Sequence, residues 1–180
     1  MSISAKGPPW TYEAYAGLPS DGKRHEIVDG DHYMNPAPNL YHQTVSRRLQ
    51  FQLYSAIELK GLGVVFDAPV DVQLTDHDIV QPDLVVVTNS KRHIMTPTKI
   101  KGIPDLLVEI LSPSNPTHDT VTKRSAYERC LVPEYWMVDT EEHKIVQLIL
   151  DDLTYRESLA TDQITMHMPP HVRVDLTMVW

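Results

Sequence analysis

The chain is predicted to fold as an α/β (α+β) protein, a mixed β-sheet with a helix on each face. Three features point there. Strand-like runs outnumber helical ones along the sequence. Leu84-Val-Val-Val87 and Leu106-Leu-Val-Glu-Ile-Leu111 are short apolar runs, the mark of strands buried on both faces. A helix-like stretch separates the second run from the next apolar strand, Glu134-Tyr-Trp-Met-Val-Asp139.

From the N-terminus, Thr11 to Ala16 reads as a short helix capped by Thr11 and stopped by Gly17. His25 to Met34 reads as a hairpin whose turn, Asp29-Gly30, tolerates positive φ. Asn39 caps a long helix to about Lys60, with Val45, Leu49, Leu53, Ala56 and Ile57 as its apolar stripe and Gly61 as its stop. Val64 to Leu74 is strand-like but broken by Pro69, which predicts a bend or bulge. After Ser112-Pro-Ser-Asn-Pro116 a helix runs from about Asp119 to Arg129. Glu134 to Asp139 and Lys144 to Leu150 form a hairpin across Thr140 to His143, and strands follow near Tyr155 to Leu159 and Val172 to Leu176. No repeat, low-complexity tract or clear linker interrupts the pattern. Residues 1–180 therefore read as a single domain, long enough to bury a core.

With 42% hydrophobic and 22% charged residues, neither a disordered nor a membrane protein fits. No run approaches the ~18 apolar residues of a transmembrane helix. Met1 to Trp10 has no apolar signal core, so a cytoplasmic address is expected. The single cysteine, Cys130, excludes an internal disulfide framework and any multi-cysteine metal site. A net charge of −8 argues against coating nucleic acid by phosphate neutralisation. It leaves room for an enzyme that meets phosphates through bound metal and a local basic patch. Ser90 to Lys101 is such a patch, with Lys91, Arg92, Lys99 and Lys101 and no acid. It joins two apolar strands and is expected to approach nucleic acid; the plain alternative is a solvated loop.

Glu109 is the anomaly, a carboxylate inside a run whose faces both look buried. Unpaired, it would cost several kcal/mol or stay protonated. Asp83 opens the preceding apolar strand, and antiparallel pairing would make the two acids neighbours. A divalent cation relieves their repulsion; otherwise Asp83 caps a turn and Glu109 pairs with a lysine. Asp119, Lys123 and Tyr127, spaced i, i+4, i+8, share one face of the following helix. Folded back on the sheet, Lys123 could stabilise negative charge developing at phosphorus; the alternative is a surface salt bridge to Asp119. Glu26 shares a strand face with Val28 and either points inward or belongs to a charged edge. His42 on the long helix and Cys130 read as structural.

The following segments occur in order: Arg24-His-Glu-Ile-Val-Asp-Gly30, His42-Gln43, Gln81-Pro-Asp-Leu-Val-Val-Val87, Pro104-Asp-Leu-Leu-Val-Glu-Ile-Leu-Ser-Pro-Ser114, the Asp119, Lys123, Tyr127 spacing, and Val132-Pro-Glu-Tyr-Trp-Met-Val-Asp139. From about Trp10 to the C-terminus they resemble the Uma2 family of restriction-endonuclease-like proteins. That resemblance implies a PD-(D/E)xK nuclease fold, a four- or five-stranded mixed sheet flanked by helices, with acids binding Mg²⁺ or Mn²⁺. By position, Asp83 and Glu109 match the two motif acids and Glu26 the acid from an early element. The motif lysine position, two after Glu109, is Leu111, and the lysine has moved to Lys123. Leu131 stands where the family commonly has glycine.

The expected function is metal-dependent phosphodiester cleavage of DNA. Glu26, Asp83 and Glu109 would hold one or two Mg²⁺ ions, and Lys123 would stabilise the transition state. A homodimer is expected, because cutting two strands often needs two sites. Two other readings stay open: a relative that only binds DNA or a partner, and an RNA or small-molecule phosphohydrolase using the same site. Fold does not decide among them.

Overall fold

A computed structural model describes residues 7–19, 21–111 and 118–180. The Pro-rich segment 112–117 lies outside the described residues, as do residues 1–6. Thr11 caps α1 (Tyr12–Ala16) by accepting the Ala14 N–H, and Gly17 ends it. β1 (Arg24–Val28) and β2 (Asp31–Asn35) pair antiparallel around Asp29 and Gly30, whose φ values of 53° and 73° are those of a hairpin turn with two left-handed residues. The Asn39 side chain caps α2 (Leu40–Leu53), which widens into a π-helical turn at Tyr54–Glu58. Caps and stripe thus set this helix as the sequence predicts.

The break at Pro69 is more than a bend. β3 (Gly63–Asp67) and β4 (Val72–Thr75) belong to different sheets, and the chain changes layer between them. The remaining strands are β5 (Asp78–Val80), β6 (Leu84–Thr88), β7 (Ile100–Lys101), β8 (Leu106–Ile110), β9 (Glu134–Asp139), β10 (Lys144–Asp151), β11 (Thr154–Ala160), β12 (Gln163–Thr165) and β13 (Arg173–Asp175). A π-helical turn, His118–Lys123, leads into α3 (Arg124–Arg129) between β8 and β9.

One mixed sheet runs β11-β10-β9-β8-β6-β3, with β8 and β9 parallel and the other neighbours antiparallel. It has six strands where the resemblance implies four or five. A second sheet, β2-β1-β5-β4-β7, was not legible as a separate layer. β12 and β13 form a small ribbon. Among the described residues no helix is long and apolar enough to cross a membrane.

Strand alternation builds the layers. Leu84, Val86, Leu106, Val108, Ile110, Trp136 and Val138 point toward the α2 stripe of Val45, Leu49, Leu53 and Ile57. Their neighbours Val85, Val87, Leu107, Tyr135 and Met137 face the other way. There they meet Val28, Val72 and Val80 of the second sheet and Ala126 and Tyr127 of α3. Glu109 shares the parity of Leu107, so it enters this second interface.

The end of α3 positions that interface. Val132 N–H reaches Tyr127 O at 2.9 Å and Leu131 N–H reaches Glu128 O at 3.0 Å, the paired bonds of a Schellman motif. Val132 and Tyr127 pack together in the core beneath it. The motif needs a left-handed residue, and Leu131 adopts φ 59° with its side chain half exposed. A branched residue is strained there. Leu131→Gly should therefore raise stability by about 0.5–1 kcal/mol, the strain relieved less the added backbone entropy. Equilibrium urea unfolding checks this, and a loss of stability would show that the Leu131 side chain contributes more than its backbone costs.

Candidate functional site

The antiparallel register of β6 and β8 pairs Leu84 with Val108, which sets Asp83 beside the Glu109 end of β8. Asp83 Oδ2 accepts the Ile110 N–H at 2.8 Å, tying the two strand ends together. Both acids border a cavity of about 50 Å³, together with Arg24, Asn35, His42, Asp119 and Lys123. The neighbourhood inferred from the strand ends is therefore present.

Lys123 is the centre of the polar network. Only 1% exposed, its Nζ lies 2.9 Å from Glu26 Oε1, 2.9 Å from Glu109 Oε1 and 3.7 Å from Asp119 Oδ1. Burial favours the neutral amine, but Glu109, Glu26 and Asp119 outweigh it and raise its pKa, so it stays charged. Tyr127 Oη donates to Glu109 Oε1 at 2.7 Å, held there by the locked end of α3. The shared helix face of Asp119, Lys123 and Tyr127 is thus turned inward.

Glu26 is fully buried but does not border the cavity. Its Oε1 accepts the Gln81 N–H at 2.6 Å besides meeting Lys123, and its Oε2 accepts from Asn35. It anchors the lysine from behind. Burial pushes Glu109 well above the usual carboxylate range; Lys123 opposes this, while Asp119, Asp83 and Glu26 add to it. Burial also acts upward on Asp83. There a hydrogen bond from His42, the charges of His42 and Arg24, and the Ile110 N–H together hold it below its normal value. His42 Nε2 stands 3.1 Å and Arg24 3.3 Å from the Asp83 carboxylate.

Two contributors are absent from the sequence-based site. Arg24 carries a detectable signal, since it lies two residues before Glu26 and alternation puts both on one strand face. His42 continues the α2 stripe at i, i+3, i+7 with Val45 and Leu49, so its phase also points to the sheet.

Among the described residues no three His, Cys, Asp or Glu side chains form a ready-made metal cage. The donor chemistry nonetheless fits a hard divalent cation. Glu26, Asp83, Glu109 and Asp119 gather four acidic side chains around Arg24 and Lys123. Asp83, Glu109 and Asp119 present oxygen donors to one cavity, which suits Mg²⁺ or Mn²⁺.

The basic segment lies elsewhere. It connects the ends of β6 and β8 remote from Asp83 and Glu109, roughly 15 Å away at ~3.3 Å per strand residue. Lys91 meets Asp105 at 3.4 Å and the Pro104 carbonyl at 3.2 Å. Lys99 donates to Gln73 Oε1 and sits 3.1 Å from the centre of the Tyr12 ring. Arg92 is exposed and bonded to Asn89, and Lys101 is exposed. The structure does not bring these four cations to the acids. Lys99→Met should cost about 0.5–1 kcal/mol through the lost ring contact, whereas Lys101→Met should stay within ~0.5 kcal/mol of the parent. Equal melting temperatures for the two variants would remove the internal role given to Lys99.

The family model described as "Uma2: Putative restriction endonuclease" matches residues 12–178. A solved structure described as "a putative nuclease belonging to DUF820", from Anabaena variabilis, is similar with a TM-score of 0.76 at 17% identity. The match covers 95% of this chain and 97% of that one, and at this identity it speaks for the fold. No curated protein matches. The family match takes in both sheets and every residue around the cavity, and by it the chain belongs to the Uma2 family.

Proposed function

We propose that the protein is a divalent-metal-dependent phosphodiesterase that cleaves DNA, with Mg²⁺ or Mn²⁺ held by Asp83 and Glu109. The observation that carries this reading is the pair of acids at adjoining strand ends, bordering one cavity with a buried, charged lysine. The family description and the similar structure's description as a nuclease support it. When bound, such an ion neutralises phosphate charge and lowers the pKa of a bound water. Asp119 borders the same cavity and adds a third carboxylate. Lys123, set between Glu26 and Glu109, offers positive charge where phosphorus gains negative charge in the transition state. Tyr127 fixes the orientation of Glu109, and Arg24 offsets charge at Asp83.

The test combines thermal melting with cleavage assays on supercoiled DNA, RNA and a chromogenic diester, each with added Mg²⁺ or Mn²⁺. Binding to the folded state raises the melting temperature, by roughly 2.7 kcal/mol of added stability at a hundredfold excess over Kd. Supercoiled DNA should be nicked, and Glu109→Gln should abolish both effects. Ion-induced stabilisation without cleavage of any substrate would leave a binding protein only. Cleavage confined to RNA or the chromogenic diester would overturn the DNA assignment.

A further inference from the structure

The polar side chains of α2 fall into two sets. On the side facing β13 and the C-terminus they are used within the protein. There Gln52 bonds the Asp175 backbone, Arg48 donates to the Val179 and Trp180 carbonyls, and Tyr41 meets His143. On another side Gln43, Arg47, Gln50 and Tyr54 recur at i, i+4, i+7 and i+11, with Ser46 beside them. None of these five side chains has a hydrogen-bond or ion-pair partner among the described residues. Gln43, Arg47 and Tyr54 are exposed, and Ser46 and Gln50 are half-buried.

This strip begins at the acidic site. Gln43 and Ser46 line a cavity of about 240 Å³ with Arg24, His42, Asp67 and Asp83. Arg24, His42 and Asp83 also border the small cavity of Glu109 and Lys123, so the two hollows adjoin. From Gln43 to Tyr54 the strip runs ~16 Å at 1.5 Å per helical residue, a length that several nucleotides span at ~3.4 Å each. Leu40–Leu53 holds two arginines and no acid, on a chain of net charge −8. Asp67 and Asp83 stand at the cavity end, where Arg24 sets a cation beside them. Glu58, one turn past Tyr54, is committed to the Val65 N–H at 3.0 Å. A polyanion is repelled by most of such a protein and accepted where acids are missing. Amides, a hydroxyl and a guanidinium donate to phosphate and sugar oxygens, and a tyrosine ring gives a base a face to stack on.

We propose that this side of α2 is the surface along which a DNA strand reaches the cavity, with Arg47 on a backbone phosphate and Gln43 on the sugar–phosphate next to the site. The proposal rests on the phosphodiesterase reading for the nature of the ligand and adds to it where the nucleic acid lies. It moves the DNA surface from the basic segment Ser90 to Lys101 to a helix that adjoins the acids.

The test is the affinity of a labelled DNA duplex measured over a range of salt, without divalent ions so that no cleavage intervenes. Arg47→Met should weaken binding about tenfold and flatten the slope of log K against log salt by about 0.9, the share of one phosphate contact. Gln43→Ala should weaken binding about 2–10-fold and leave the slope as it is, since an amide displaces no counterion. Arg156→Met makes the same charge change on β11, at the sheet edge opposite β3. Five strand spacings of ~4.8 Å place it beyond the Debye length, so affinity should stay within about twofold. An unchanged slope in Arg47→Met, an equal loss in Arg156→Met, a larger loss in Arg92→Met, or a parent without affinity for the duplex would each overturn the proposal. A parent that binds DNA through Arg47 but cleaves no diester with Mg²⁺ or Mn²⁺ would leave the strip in place and remove the phosphodiesterase reading instead.

Discussion

Lys123→Met is expected to destabilise the protein by about 3–5 kcal/mol at neutral pH, the usual cost of leaving buried partner charges uncompensated. The ammonium touches Glu26, Glu109 and Asp119 together. Methionine keeps much of the volume, so the loss measures charge and not packing. The double variant Lys123→Met with Glu109→Gln should recover about 1–2 kcal/mol, since these two groups are in contact and their effects are not additive. Mg²⁺ should still raise the melting temperature of Lys123→Met, because Asp83 and Glu109 remain, while cleavage falls by about 10²–10³. Urea unfolding of the four proteins in the cycle gives the answer. A single-variant cost below about 1 kcal/mol would mean the ammonium is not the neutralising centre.

Asp83→Asn should have the second largest effect. Three groups donate to this carboxylate: Ile110 N–H, His42 Nε2 and Arg24. An amide has one acceptor oxygen, so its NH₂ group must face a donor, at a cost of about 1–3 kcal/mol. It also offers no anionic oxygen to a cation. The ion-induced rise in melting temperature should vanish, and cleavage should drop by at least about 10². A variant that binds Mg²⁺ like the parent would remove Asp83 from the ion site and leave Glu109 and Asp119 as the donors to examine.

Strong local signals carried well from sequence to structure. The Asn39 cap, the Asp29-Gly30 turn and the buried β6 and β8 runs each rest on contacts within a few residues or on clear periodicity. The meeting of Asp83, Glu109 and Lys123 follows from them, because strand ends and helix faces set direction. The second sheet was illegible for a physical reason. β5 and β7 have three and two residues, too short for any period to show. Without that sheet, Glu26 could not be told from a charged edge; with it, Glu26 is the far anchor of Lys123. Counting charge in Ser90 to Lys101 likewise missed that Lys99 rests on Tyr12 and Lys91 on Asp105. Those contacts join residues 87 and 14 positions apart, and composition records neither.

Glu26 belongs to the five-stranded sheet and Glu109 to the six-stranded one, and one ammonium bonds both. Peeling the smaller sheet away would strand an ion between layers, so partial opening at this seam is disfavoured more than apolar contact alone would require. The two sheets should consequently unfold in one cooperative step. In native-state hydrogen exchange, the amides of Ile27 and Val108 should report the same opening free energy in the parent protein. With Lys123→Met the tie is cut. Ile27 should then exchange through a lower-energy opening of its own while Val108 continues to follow global unfolding, turning one cooperative unit into two.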